Sequence, residues 1–494
     1  MKKLLKFINS DAFFIILLLV LLGFYIFRLD QFPIFADEAI YLNWADRVIT
    51  GQENAFVSMF DGKPPLFMWL AGVLSLVIKD IFWSGRLVSV LSLFMFSFGV
   101  WGLTKFYPKY KWLKIGIILT LISPFVFFHS RLALIDSLLS VLLLSAILAW
   151  TLVSKNWCRG ILTGAFLGLA FWTKTPALFL LPFPIISVLL FERKLKTFQQ
   201  ALLALGMSVG TILLLKVSVW FPYLFSRSQD FSFQISEILA GQNNQIWGNT
   251  KNFISWFSFY QTWWLLGLAV VGLVFGFKHK QKLVKNLSIA LILFLGPFLI
   301  LGKVLAPRYY LPAVFAMSFL AAYGLKILPK WARAVLIIIL IISFIPRNLA
   351  ILQNPINAKL PEIDTSQYLQ EWSSGIGLSQ VSDYLQTQAQ EQKIKILTEG
   401  YFGTLPDGLF IHMSGSPNWA NIEIVGVGSV KSADFYKQLK SNQAAKIYYV
   451  GNEHRINPND QEEMKLVKNY PKKDGGPSLQ LYEIDPSIYE NQTE

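Results

Sequence analysis

About eleven apolar stretches, each long enough to cross a bilayer, run through the first 350 residues of this 494-residue chain. They lie near residues 11–29, 86–107, 112–129, 134–154, 160–175, 177–191, 200–221, 256–277, 286–302, 309–328 and 331–346. A membrane helix needs about 17–25 apolar residues, so the pattern dictates a polytopic α-helical membrane protein. The segment 64–79 is apolar too, but it is short and opens with Pro64-Pro65; it reads as a helix lying at the membrane surface. Charged residues make up only 15% of the chain, against about a quarter in soluble proteins. A purely cytosolic globular enzyme is thereby excluded.

The net charge of +14 could indicate a polyanion partner, but its distribution points elsewhere. Residues 1–349 hold 32 Lys and Arg against 12 Asp and Glu, whereas residues 350–494 hold 12 against 18. The basic excess therefore belongs to the apolar part. With a cytoplasmic N-terminus, 19 of the 32 basic residues fall in inner loops, as the positive-inside rule requires. Ten of the twelve acids fall outside, the exceptions being Asp11 and Glu192. The N-terminal Lys2, Lys3 and Lys6 before the first apolar run read as an uncleaved anchor, since no small-residue cleavage site precedes Arg28. Cys158 is the only cysteine, so no intramolecular disulfide can form.

An odd number of spans puts residues 350–494 outside. This tail reads as a small extracytoplasmic α/β domain beside a transmembrane domain of residues 1–349. Strand-like runs occur at Ile394–Leu397, Ile422–Val427, Lys446–Val450 and Leu479–Ile484, with helical candidates at Gly377–Glu391 and Ala433–Asn442. A loop punctuated by glycine and proline follows the first strand, from Glu399 to Asp407.

Ionisable residues at membrane depth mark function by default, and here they gather on the outer side. The first outer loop, about 30–85, holds seven of the twelve acids of the membrane part. Helical spacing puts Asp37 and Tyr41 on one face, with Trp44 close by; the plain alternative is that Asp37 or Asp30 caps a surface helix. Lys63 precedes a proline-initiated helix, where an anion could meet both the ammonium and the helix N-terminus, or it could simply snorkel at the interface. Asp136 lies inside the next span and needs a partner, for which Arg131 is the local candidate. Lys174 and Arg308 stand at outer span ends. His279 and His412 look solvent-exposed, and no His/Cys spacing marks a zinc site. Walker and dinucleotide fingerprints are absent, which argues against a nucleotide as fuel. Two carboxylates and several cations around an apolar cavity would suit an amphiphile with an anionic head.

These residues resemble glycosyltransferase family 39, in the C-type superfamily with the protein O-mannosyltransferases and the aminoarabinose transferases acting on lipid A. The resemblance rests on Asp37-Glu38, Lys63-Pro64-Pro65-Leu66, Arg131 to Asp136, Thr173-Lys174 with Pro176, and Arg308-Tyr309 with Leu311-Pro312, over residues 1–345. It implies the C-type glycosyltransferase fold and inverting transfer of a sugar from a polyprenyl-phosphate donor to an acceptor hydroxyl on the extracytoplasmic face. By the same resemblance Asp37 is the general base, and Asp136 is a second acid shaping the site. Lys63 and Arg308 hold the departing phosphate. The full expected set is Asp37, Glu38 and Asp136 in catalysis, with Lys63, Arg308, Tyr41, Arg131, Lys174, Tyr309 and His129 binding substrate. Two positions depart from the aminoarabinose transferases: Ile40 stands where they carry Arg, and Gly62 where Glu is frequent. That substrate is therefore not carried over. The scheme requires no cofactor, though it leaves room for a divalent metal, and the acceptor could be a protein, a lipid or a glycan. The competing readings are a lipid-linked sugar flippase or transporter, whose charges typically sit near the midplane of repeated halves, and a noncatalytic relative that binds envelope glycans.

Overall fold

The computed structural model describes residues 10–241, 245–441 and 443–490. The lysines of the N-terminal anchor and Asn442 at the end of one helical candidate lie outside them. Among the described residues eight helices are long and apolar enough to span a membrane: Ile81–Phe106, Ile135–Leu152, Thr175–Glu192, Leu195–Val217, Ile246–Lys278, Lys282–Leu301, Pro307–Ile327 and Lys330–Gln353. They match eight of the eleven expected stretches. The other three are also helical but differ in length or continuity. Asp11–Ile26 has 16 residues. The stretch 112–129 breaks at Ser123-Pro124 into Leu113–Ile122 and Pro124–His129, because proline opens a new helix and cannot continue the old one. Asn156–Thr173 has 18 residues but dilutes its apolar run with Arg159 and three glycines. The surface segment forms the 13-residue helix Leu66–Ile78.

The chain divides into two compact units. The first holds the residues up to Leu29, then Glu53–Leu70 and Arg86–Gln353; the second holds Asp30–Gln52, Ala71–Gly85 and everything from Asn354.

In the first unit, Ile135–Leu152 and Pro307–Ile327 are the two spans buried almost all round. Small residues let the remaining helices approach closely, as expected where lipid supplies no hydrophobic drive between helices. A Cβ at Gly164 would lie 2.3 Å from the Ala204 carbonyl oxygen, so helix Asn156–Thr173 packs on Leu195–Leu213 backbone to backbone. A Cβ at Gly272 would lie 1.9 Å from the Leu320 carbonyl oxygen, fixing Ile246–Lys278 against Leu311–Ile327 in the same way.

The second unit is built on a five-stranded sheet of order β2-β1-β3-β5-β4, with β1 Ile394–Glu399, β2 Ile422–Gly428, β3 Lys446–Asn452, β4 Lys465–Tyr470 and β5 Leu479–Ile484. β1 pairs in parallel with β2 and β3, while β5 runs antiparallel to both β3 and β4. Four strands stand where the alternation put them. β4 is an addition: an edge strand of sequence Lys-Leu-Val-Lys-Asn-Tyr, whose lysines blunt an exposed edge and erase the apolar alternation. Leu397, Val427, Phe435, Ile447, Tyr449 and Tyr482 form its core. Helices Leu378–Gln388 and Ala433–Lys440 stand where expected.

The helix Ala36–Ile49, in the loop after the first apolar stretch, belongs to this second unit. Ala36 N–H donates to the Ser373 carbonyl (3.0 Å) and Gly375 N–H to the Ile34 carbonyl (2.9 Å), a short antiparallel ladder that fastens the helix start to the α/β domain. A Cβ at Gly375 would fall 2.3 Å from the Ile34 oxygen, so only glycine permits this approach. His412, expected in solvent, is half-buried, its ring 5.6 Å from that of Phe82. His279 is exposed, as expected.

Candidate active site

In the first unit residues from loops and span ends build a cavity of about 370 Å³. Leu178, Phe179, Phe298, Leu301 and Leu305 give it apolar walls, and the charges in its lining are the cations Lys63, Lys174 and Arg227 and one acid, Asp61.

Helix Asn156–Thr173 ends ahead of Pro176, whose missing N–H cannot continue the ladder to the Trp172 carbonyl, and Lys174 is in extended backbone (φ −157°, ψ 133°). Its Nζ donates to Asp136 Oδ1 at 2.7 Å and lies 4.1 Å from the centre of the Tyr309 ring. Asp136 is the second residue of Ile135–Leu152, where the helix N-terminus favours a negative charge. Its side chain is 4% exposed and that of Lys174 18%, so the pair is buried on the acid's side and reaches the cavity on the lysine's. This corrects the expected partnership of Asp136 with Arg131. The Arg131 guanidinium instead donates to the carbonyls of Phe24, Tyr25, Phe27 and Arg28, satisfying the orphan acceptors at the end of the first helix.

Lys63 follows the left-handed Gly62 (φ 74°), and its Nζ stands 5.5 Å from the Phe231 ring centre. Arg227, absent from the sequence-derived set, shares that ring at 5.6 Å and pairs with Asp61 at 2.7 Å and Asp230 at 3.1 Å. The hydrogen bond that its guanidinium donates to Asp61 holds it above even the usual arginine range. Its sequence signal was weak: one arginine between two serines in a long loop. Tyr309 lines the cavity; its neighbour Arg308 is buried at 5% exposure in the turn Pro307–Tyr310, outside the lining. His129 is buried among the rings of Phe125, Phe128 and Tyr260, with Nδ1 2.9 Å from the Phe125 carbonyl oxygen.

The remaining expected residues belong to the second unit. Asp37 is half-buried in the first turn of Ala36–Ile49. Helix capping, assigned from sequence to Asp37 or Asp30, falls to the fully buried Glu38, whose Oε2 accepts from Phe35 N–H at 3.0 Å. Tyr41 is buried with its ring centre 6.2 Å from that of Trp44. Two residues after Tyr41, Asn43 donates to the buried Asp407, which also accepts from Gly403 N–H at 2.7 Å. Burial pushes the Asp407 carboxyl up to about 6. Among the described residues no group of three or more His, Cys, Asp or Glu side chains could hold a metal ion.

Residues 62–220 match the family of dolichyl-phosphate-mannose-protein mannosyltransferases. Crystal structures of ArnT from Cupriavidus metallidurans, in the apo state and bound to undecaprenyl phosphate, align with TM-scores of 0.59 and 0.60 at 14% identity, over 97% of this chain and 98% of theirs. The chain has the C-type glycosyltransferase fold. The motif resemblance thus holds, and this multi-pass membrane protein pairs that fold with its five-stranded domain. The archaeal oligosaccharyltransferase AglB from Archaeoglobus fulgidus, in complex with an inhibitory peptide and a dolichol-phosphate, aligns at TM-score 0.52 and 10% identity, over 94% of this chain and 74% of that one. No curated protein sequence matches the C-type chain described here.

Proposed function

We propose that the protein transfers a sugar from a polyprenyl-phosphate donor to an acceptor hydroxyl on the extracytoplasmic face, with inversion at the anomeric carbon. The observation that carries this reading is the 370 Å³ apolar cavity bearing Lys63, Lys174 and Arg227, a surface suited to a lipid with an anionic head. The positions of Asp136 and Lys174 at one end of their helices, away from mid-span, favour an enzyme over a transporter. The basic inner loops support a cytoplasmic N-terminus and an extracytoplasmic α/β domain.

In this reading the acceptor oxygen bonds to the anomeric carbon as the bond from that carbon to the phosphate oxygen breaks. Asp37, assigned through its motif, takes the acceptor proton. Lys63, Lys174 and Arg227, with Arg308 assigned by resemblance, stabilise the charge growing on the leaving phosphate. Those four cations let the reaction proceed with no metal ion. The test is Asp37→Asn: transfer of labelled sugar from a polyprenyl-phosphate donor in membranes is expected to vanish, with expression and donor binding retained. Near-normal turnover by the variant would overturn the assignment. Comparing envelope glycans and glycoproteins by mass spectrometry, with and without the protein, would name the acceptor.

A further inference from the structure

A second cavity, of about 460 Å³, lies in the first unit at the opposite ends of the helices that frame the first. Asp136 opens Ile135–Leu152 and Leu152 lines the second cavity; Lys174 follows the end of Asn156–Thr173 and Arg159 stands in its first turn. At 18 residues per helix the two cavities are about 27 Å apart.

The lining of this second cavity carries Lys109, Arg159, Lys194, Lys196 and Lys282 and no carboxylate. Snorkelling cytoplasmic lysines explain exposed charges at helix ends, but Arg159 is only 6% exposed. Its Nε donates to the Trp150 carbonyl at 2.6 Å, and its Nη atoms reach Glu192 at 2.7 Å and Gln200 Oε1 at 3.2 Å. Glu192 also binds Lys282 at 3.0 Å, so one acid serves two cations, of which only Arg159 is buried. Lys109, Lys194 and Lys196 have no carboxylate partner among the described residues. Three long helices, Asn156–Thr173, Leu195–Leu213 and Lys282–Leu301, begin at this cavity, adding the positive ends of their dipoles to the same field.

We propose that this cavity is an anion site for a phosphate group, distinct from the sugar-transfer site and independent of that function. The phosphate could belong to a membrane lipid headgroup or to a soluble phosphate ester or pyrophosphate.

The test uses the full chain, purified and checked for monodispersity, as wild type and as two triple variants of equal charge change. K109Q/K194Q/K196Q strips the cavity, whereas K278Q/K280Q/K326Q removes lysines outside its lining. Native mass spectrometry after exposure to phosphatidylglycerol or phosphatidylcholine vesicles reads the lipid arm, and thermal shift with inorganic pyrophosphate reads the soluble arm. The cavity variant is expected to lose its anion response by about tenfold or more, with the control variant within about twofold of wild type. Retained phosphatidylglycerol that excess pyrophosphate leaves in place identifies a lipid headgroup. A pyrophosphate shift without lipid retention identifies a soluble phosphate. Equal losses in both variants, or no anion response in wild type, would overturn the proposal.

Discussion

Replacing Lys174 with methionine leaves Asp136, 4% exposed, without its 2.7 Å ammonium partner. Orphaning one member of a buried ion pair costs about 3–5 kcal/mol, chiefly through the charge left behind. Because Lys174 keeps 18% of its side chain accessible at the cavity, the lower figure, about 3 kcal/mol, applies here. Adding Asp136→Asn removes the stranded charge, so the double variant should recover about 1–3 kcal/mol relative to Lys174→Met alone. Catalysis should not recover, since the cavity still lacks a cation that faces the proposed phosphate. The assay is apparent thermal stability of the detergent-solubilised full chain for wild type, both single variants and the double variant, alongside donor turnover. The reasoning fails if Asp136→Asn gives no rescue of stability. It also fails if the double variant regains wild-type turnover, because the pair would then be structural only.

Asp407 sets a pH dependence in the α/β unit. Its folded carboxyl titrates near 6 against an ordinary 3.8, so between those values the folded state holds more protons and stability falls as pH rises. The loss amounts to about 3 kcal/mol by pH 7, and Asp407→Asn should flatten the slope in urea unfolding followed from pH 4 to 7. At Gly272→Ala the new methyl group meets the Leu320 carbonyl; the two spans must part, costing about 1–3 kcal/mol, visible as a lowered apparent melting temperature, whereas Gly267→Ala, in open space on the same helix, should be neutral.

Some residues of the candidate cavity could be read in the chain because membrane physics makes charge conspicuous. Lys63, Asp136 and Lys174 stood out as ionisable residues beside apolar runs, and two of them line the cavity. Pairing was not readable. Arg131 is five residues from Asp136, but its planar donor fork suits the four carbonyls ending the first helix, and the acid is left to a lysine 38 positions away. Arg227 escaped notice because nothing local distinguishes it; only folding brings it to Asp61, 166 residues earlier. Strand β4 was hidden for a different reason, its edge position having replaced apolar alternation with lysines.

The sequence by itself determined the membrane class, eight of the eleven expected spans and the positions of four strands, because bilayer thickness and side-chain periodicity act on contiguous residues. It also supplied the motifs that match the C-type fold. Only the tertiary structure decided which charges meet, which acid caps the Asp37 helix, and that this helix is fastened to the α/β unit through Ser373 and Gly375. Apart from the cap, a local choice between neighbouring acids, those outcomes depend on contacts between residues tens to hundreds of positions apart, where close backbone approach and buried-charge pairing select among partners that local sequence leaves equivalent.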